Sequence, residues 1–217
     1  MRIDIPRSST PFFNEKQRLF TENQAELSAW IQRPFSKVAF LEQLKEKQGV
    51  YGSAQRYLLL EGLEELYDDF VRSEQVQSNL EKLSQANCFT VTTGHQLSLA
   101  TGPLFFIYKI LHVIKQCEEL IASYPEFYFV PVYWMATEDH DFEEINHFKT
   151  ANGFYQVKGN SGGAVGRIII EDNSFLEEFE KEFKDDVFGT QLILLAKKAY
   201  QKGRTFTEAT QILVQEI

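Results

Sequence analysis

Two short stretches hold residue types from which an active site can be built. The denser is Glu138-Asp139-His140-Asp141, three carboxylates around one imidazole, with Glu143, Glu144 and His147 close behind. Three kinds of chemistry fit it. His140 can act as a general base oriented by a neighbouring carboxylate. His140, Asp141 and His147 can ligate a divalent cation. Alternatively, the acids can hold the ammonium of an amino-acid substrate. The unreactive alternative is a solvated helix start, since carboxylates suit the positive end of the helix dipole. The second stretch is Thr92-Thr93-Gly94-His95-Gln96, where a histidine able to donate to an anionic oxygen follows a glycine that lets backbone approach a ligand. Shortly after it, Gly102-Pro103 opens a helix whose first amides favour negative charge. A surface turn with an incidental histidine is the plain alternative there.

Both stretches follow apolar runs, and those runs must position them. Cys88–Thr92 is short and rich in β-branched and aromatic residues, which predicts a strand followed by a loop over Thr93–Gly102. Phe127–Ala136 is almost unbroken apolar sequence, as in a parallel strand buried on both faces, with Pro131 at a bulge or an edge. Between them Leu104–Ala122 reads as a helix, with Pro103 in its first turn. Only Lys109, His112, Lys115, Gln116 and Glu119 mark a polar side, so the helix is expected to be buried on most faces. His112 sits on that side and needs no role. Strand, helix and strand make one right-handed βαβ unit. Its parallel strands deliver both reactive stretches to one sheet edge, where ligands bind in open α/β sheets. That position favours function over a solvated helix start.

The remaining chain is organised around this unit. Upstream, residues 1–87 read as helical, loosely so from Asn14 to Ile31. Ser36 caps a helix through Lys47 that Gly49–Gly52 ends. Ser53 caps another from Ala54 to about Val71, with Phe70 on its apolar stripe, and Ser73 caps a short one holding Val76, Leu80 and Leu83. The βαβ unit occupies residues 88–150. Over 151–217, Phe154–Val157 and Val165–Ile170 predict an inserted β-hairpin with a glycine-rich tip, Lys158–Ala164. That tip could cradle a phosphate through its amides, although it lacks the Lys-Ser/Thr ending of a P-loop. Helices follow over Ser174–Lys184 and Thr190–Lys202, and Thr205 with Glu208 forms a capping box for a last one holding Ala209, Ile212, Leu213 and Ile217.

Composition excludes several classes. A chain of 217 residues that is 43% hydrophobic suffices for a packed core. Its formal charge of −9 and lack of a basic stripe argue against nucleic acid, whose binding rests on Lys and Arg neutralising phosphates. No apolar run approaches the ~18 residues of a membrane span. Asp4 and Pro6 stand where a signal peptide would be apolar, so a cytoplasmic protein is expected. Cys88 and Cys117 lie among apolar neighbours and read as buried, reduced thiols.

Taken together, several segments resemble one family. Thr93-Gly94-His95-Gln96, Thr101-Gly102-Pro103-Leu104, Tyr133-Trp134-Met135-Ala136, Glu138-Asp139-His140-Asp141-Phe142 and Glu144-Ile145-Asn146 are similar, in order and spacing, to the cysteine-adding enzymes of bacillithiol biosynthesis, the BshC family. Gly162-Gly163-Ala164-Val165-Gly166-Arg167 and Gly203-Arg204-Thr205 also fit. The resemblance implies a ligase joining the carboxyl group of cysteine to the amine of glucosaminyl-malate. It implies a partial Rossmann-like sheet of nucleotidyltransferase type, with Thr92-Thr93-Gly94-His95 overlaying the His-x-Gly-His motif of class I synthetases and Thr92 in place of the first histidine. ATP with magnesium is the energy source it allows. In that light Glu138, His140 and Asp141 become the catalytic candidates, and Thr93, Gly94, His95, Gln96, Thr101, Gly102, Asp139 and Asn146 the substrate- and anion-binding ones, with no metal ligand assigned. The resemblance covers nearly all of this chain but under half of a family member. It places a homodimerising C-terminal coiled coil beyond Ile217 and leads us to expect an inactive fragment. The competing readings are a nucleotidyltransferase-like enzyme on another small molecule, and a binding module.

Overall fold

The computed structural model describes residues 3–6, 9–22, 24–33, 36–68, 72–159, 162–183 and 186–216, which form two compact units, Met1–Asn87 and Cys88–Ile217. Phe70 and Val71 at the expected end of one helix, Asn160 and Ser161 at the expected hairpin tip, and Lys184 and Ile217 at two helix ends lie outside the described residues.

The first unit is helical: α1 (Glu15–Glu22), α2 (Lys37–Val50), α3 (Ser53–Leu66) and α4 (Glu74–Leu83). Ser36 and Ser73 cap α2 and α4 by accepting from the amides of Ala39 and Val76, each at 3.2 Å. Such caps contribute about 1 kcal/mol each. Gly49 does not break α2, since a glycine in an exposed last turn costs only about 1 kcal/mol and Tyr51 N still donates to Lys47 O. The chain turns at Gly52, which rather than Ser53 is the N-cap of α3; its amide donates to Gln55 Oε1 at 3.1 Å. Arg56 is buried, and its guanidinium donates to Leu83 O in the last turn of α4 and to Ala86 O just past it. A cation suits the negative end of a helix.

The second unit begins with the βαβ element: β1 (Cys88–His95), α5 (Phe105–Ser123) and β2 (Tyr128–Met135). β1 and β2 pair in parallel from Cys88↔Tyr128 to His95↔Met135. β1 therefore runs three residues beyond the apolar segment, and Thr93, Gly94 and His95 are strand, not loop. The ladder extends them because β2 continues opposite. Cys88 and Cys117 are buried and reduced, and burial beside Cys88 pushes the Cys117 thiol up to about 11. The Cys117 thiol is thus protonated at neutral pH, and both cysteines are packing residues.

Two burial expectations are corrected. On α5 only Phe106, Val113 and Cys117 are buried, while Phe105, Tyr108, Leu111, Ile114 and Ile121, like Leu104 at its N-cap, are exposed. On β2 only Phe129 and Val130 are buried, and Trp134 is 58% exposed. A helix covers a sheet with one face. Among the described residues nothing packs on the opposite face of α5, and the sheet has two strands, each an edge that tolerates Pro131.

Next come α6 (Phe142–Ile145), β3 (His147–Lys149), β4 (Phe154–Gln156), α7 (Phe175–Glu180), α8 (Val187–Ala199) and α9 (Phe206–Glu216). The hairpin exists, but with a different partner: β4 pairs antiparallel with β3, His147↔Gln156 to Lys149↔Phe154. A local turn selects that partner, with Thr150 N donating to Gly153 O and Gly153 N to Thr150 Oγ1. Val165–Arg167, expected as the second strand, is a 3-10 turn; only Ile169 bridges, to Thr205. The Thr205–Glu208 capping box forms as expected. Asp186 caps α8, which starts before Thr190 and ends at Ala199.

The core of this unit lies around these later elements. Leu97, Leu99, Ile145, Val165, Ile170, Ala199, Tyr200, Phe206 and Ala209 are fully enclosed. Edge-to-face rings knit it together, including Phe142–Phe206 at 5.7 Å and Phe175–Tyr200 at 5.8 Å, a geometry worth about 0.5–1.5 kcal/mol per pair beyond area burial.

Candidate functional site

Because the strands are parallel and end together, Gln96 and Thr137–Asp141 leave the sheet at one edge. There the two stretches meet. Gln96 Nε2 donates to Asp139 Oδ2 at 2.7 Å and to Glu144 Oε2 at 2.8 Å. A primary amide has two N–H donors, and both are spent on carboxylates 43 and 48 residues away. Gln96, expected to bind an anion, therefore serves here to hold two acids apart at a fixed spacing.

Asp139 is the best-anchored acid. Its other oxygen accepts from the amides of His140 (2.6 Å) and Asp141 (3.3 Å). The Gln96 amide first, then those backbone N–H groups, hold its carboxyl below the usual range. A carboxylate stabilised by hydrogen bonds to its charged form stays ionised. Asp141 caps α6 by accepting from Glu144 N at 3.1 Å, so part of the acidic cluster does act as a helix start. Glu138 accepts from the Trp134 indole at 3.4 Å. The His140 side chain is 90% exposed, with Nδ1 3.7 Å from Asp139 Oδ1, beyond hydrogen-bonding reach. Asn146 is buried, and its Oδ1 and the Glu143 carbonyl lie 3.0 and 3.1 Å from the His147 ring. Among the described residues no three His, Cys, Asp or Glu side chains are grouped to hold a metal ion, so the set His140, Asp141 and His147 is not brought together as ligands.

On the β1 side, the His95 ring is 5.1 Å from both Phe105 and Phe106, with Nδ1 3.0 Å from Gln96 O. Tyr133 donates to His95 O, and burial with Tyr200 nearby holds that phenol far above its ordinary value, keeping it a donor. Lys109 donates to Gly94 O at 2.6 Å. A Cβ on Gly94 would meet only ordinary contacts with Trp134, so close packing does not demand that glycine.

Thr101 and Gly102 belong to a strap that local sequence did not announce. Ala100, Thr101 and Gly102 take φ of 50°, 67° and 51° in succession. Left-handed backbone at Ala and Thr costs about 1–3 kcal/mol each and needs outside support. The fully buried Tyr200 provides it: its hydroxyl accepts from Ala100 N at 2.8 Å. At Gly102 a Cβ would sit 2.6 Å from that of Ser98, so a side chain is excluded both by space and by φ.

A second support reaches the acidic stretch itself. Val165 N donates to Asp139 O at 2.7 Å and Gly166 N to Thr137 O at 3.0 Å. Thr207 on α9 donates to Gly166 O. A Cβ on Gly166 would lie 2.6 Å from Thr137 Cβ and 2.9 Å from Thr137 O. The glycine-rich segment, weighed as a phosphate cradle, thus ends as a buttress under Thr137–Asp139. Sequence reading missed Tyr200 and Thr207 as supports, and only the Val165-Gly166 segment carried any signal, through the family motif.

Residues 2–217 match the family model described as Bacillithiol biosynthesis BshC, N-terminal Rossmann-like domain. A protein of Flavobacterium johnsoniae, named "Putative cysteine ligase BshC", is 34% identical over 98% of this chain and 40% of its own length. One of the same name from Christiangramia forsetii is 37% identical over 98% of this chain and 40% of its own. A third, from Cytophaga hutchinsonii, is 41% identical over 75% of this chain and 29% of its own. The chain thus spans about 40% of the length of the first curated relatives it matches.

Proposed function

This chain belongs to the BshC family of bacillithiol biosynthesis, matching its N-terminal Rossmann-like domain, and on that premise we propose that it contributes half of the site of a cysteine ligase. The reaction joins the carboxyl group of L-cysteine to the amine of glucosaminyl-malate. The observation that carries the reading is the Gln96 bridge, which draws the two family motifs into one polar cluster at the sheet edge. A nucleophilic amine arrives as an ammonium, and Asp139, held ionised, attracts it. The ammonium loses one proton to solvent to become the nucleophile, and His140, exposed beside it, takes the second as the amine adds to the cysteine carbonyl carbon and the C–O bond to the carboxyl's leaving group breaks, with Glu138 and Asp141 adding negative potential around the imidazolium. Thr93, Gly94, His95, Thr101, Gly102 and Asn146 complete the binding half.

ATP with magnesium, when bound, would supply a leaving group on the cysteine carboxyl. One donor here fits an anion of that kind: the Lys109 ammonium stands at the end of β1, whereas the first-turn amide of Phe106 is spent on Pro103 O. Homodimerisation through a C-terminal coiled coil and a cytoplasmic location belong to the same proposal. Among the described residues no helix is long and apolar enough to cross a membrane.

The test is to incubate the full-length protein with L-cysteine and glucosaminyl-malate, with and without magnesium-ATP, and to follow bacillithiol by mass spectrometry. Product is expected, and His140→Ala should cut turnover about 10²–10⁴-fold, the range of a general base. Absence of product beside an active control enzyme would sink the ligase reading.

A further inference from the structure

The turn between α8 and α9 has no part in the chemistry above, although Gly203-Arg204-Thr205 is one of the segments that resemble the family. Tyr200, the C-cap of α8, opens that turn and is anchored several times over. Its amide donates to Ala196 O at 2.8 Å, and its carbonyl accepts from Asn173 Nδ2 at 3.0 Å. Its ring meets Phe175 and Phe206 edge-on, with centroids 5.8 and 6.3 Å away. The Arg204 guanidinium donates to Lys198 O and Ala199 O, a cation closing the negative end of α8. Gly203, at a φ of 91°, makes the bend that brings Arg204 back, and its amide donates to Ile170 O. Tyr200 is thus a rigid post.

The strap it touches is held differently. The amides of Thr101 and Gly102 donate to Ser98 O and Leu99 O, local bonds that close short turns. The Ala100 amide instead donates to the Tyr200 hydroxyl, 100 residues away. That bond is the one tie from the post to a backbone whose φ at Ala100 and Thr101 L residues disfavour. Without it the Ala100 amide loses its acceptor, and both residues are free to relax to negative φ. With all three amides engaged, the strap offers no nest of free donors to an anion. What it fixes is the placement of Thr101 and the entry of the chain into α5.

We propose that Tyr200 is a positioning residue of the ligation. Its hydroxyl latches the strap in the left-handed form that presents Thr101 to the substrate, and Gly203 with Arg204 keeps the post in place. The part played in catalysis rests on the proposed function; the latch itself does not.

The test uses the full-length protein. Tyr200→Phe keeps the ring and removes only the hydroxyl; Ala100→Gly supplies a residue that adopts left-handed backbone without strain. Tyr200→Phe should speed amide exchange at Thr101 and Gly102 about tenfold or more, with exchange in α9 little changed. It should lower kcat/KM for bacillithiol formation by about 10–10²-fold, since a misplacement of about 1 Å suffices for that. Adding Ala100→Gly should recover most of the lost kcat/KM, which it could not do if the hydroxyl served only the core. Arg204→Met should act in the same direction as Tyr200→Phe, more weakly. Unchanged strap exchange in Tyr200→Phe would overturn the proposal. So would an unchanged kcat/KM, or a loss that Ala100→Gly does not relieve. A wild-type protein that makes no bacillithiol would sink the ligase reading instead, and strap exchange would then decide the latch by itself.

Discussion

The second unit contains two regions built on opposite terms. Residues 142–216, with Leu97 and Leu99 inserted among them, close around one core, in which Tyr200, Phe206 and Ala209 are fully enclosed. Residues 88–141 leave the outer face of α5 and the end of β2 exposed, apolar though they are. The closed region nevertheless holds the loops of the open one, through Tyr200 to Ala100, Val165 to Asp139, and Gly166 to Thr137. The open region thus contributes the reactive groups and the closed region supplies their rigidity. A site on loops reaches useful precision only when surrounding packing over-determines it.

The largest expected effect contrasts the two regions directly. Phe206→Ala removes a fully buried ring that touches Phe142 and Tyr200, and should cost about 3–5 kcal/mol in chemical denaturation. Leu111→Ala on the exposed face of α5 should change stability by about 0.5 kcal/mol or less. Similar losses from both would erase the distinction between closed and open regions.

A smaller effect probes the buttress. Gly166→Ala forces a methyl against Thr137 and Thr207 and should cost about 1–3 kcal/mol, the range for overpacking. The distinctive readout is local: amide exchange at His140 and Asp141 should quicken more than exchange in α5. Uniform acceleration across the unit would show that Gly166 serves the core rather than the acidic stretch.

The smallest effect lies in titration. Gln96→Leu removes the principal cause of the lowered Asp139 carboxyl, so its NMR titration midpoint should rise towards the ordinary value of about 3.9. The sign of the pH dependence follows. A folded-state value below the unfolded one adds stability above the unfolded value, and that stability is lost as pH falls through the folded one. Asp139, Asp172, Glu182 and Glu208 are all lowered, so acid should destabilise the chain below about pH 4. Gln96→Leu should remove the Asp139 part of that loss, and an unmoved midpoint would show that the backbone amides alone set the group.

Much of this was legible from local pattern. Ser36, Ser73 and the Thr205–Glu208 pair announce helix starts because capping is satisfied within a few residues. The apolar runs at Cys88 and Phe127, separated by one helix, require parallel strands, and parallel strands bring His95 and Glu138 to one edge. Partner choice was not legible. Phe154–Gln156 reads equally well against either neighbour until the turn at Thr150–Gly153 selects β3. Burial of α5 was misread because an all-round apolar helix states what it can pack against, not what is there to pack.

By itself, then, the sequence determined the helices, the parallel unit, the family and the meeting of its two motif clusters at one edge, since these depend on short-range periodicity and chain order. Tertiary structure alone decided that Gln96 holds two acids and that Ala100 and Thr101 are kept left-handed by Tyr200. Each depends on a contact across tens of residues, in some cases against local preference. Only the free energy of the assembled core can select such a contact.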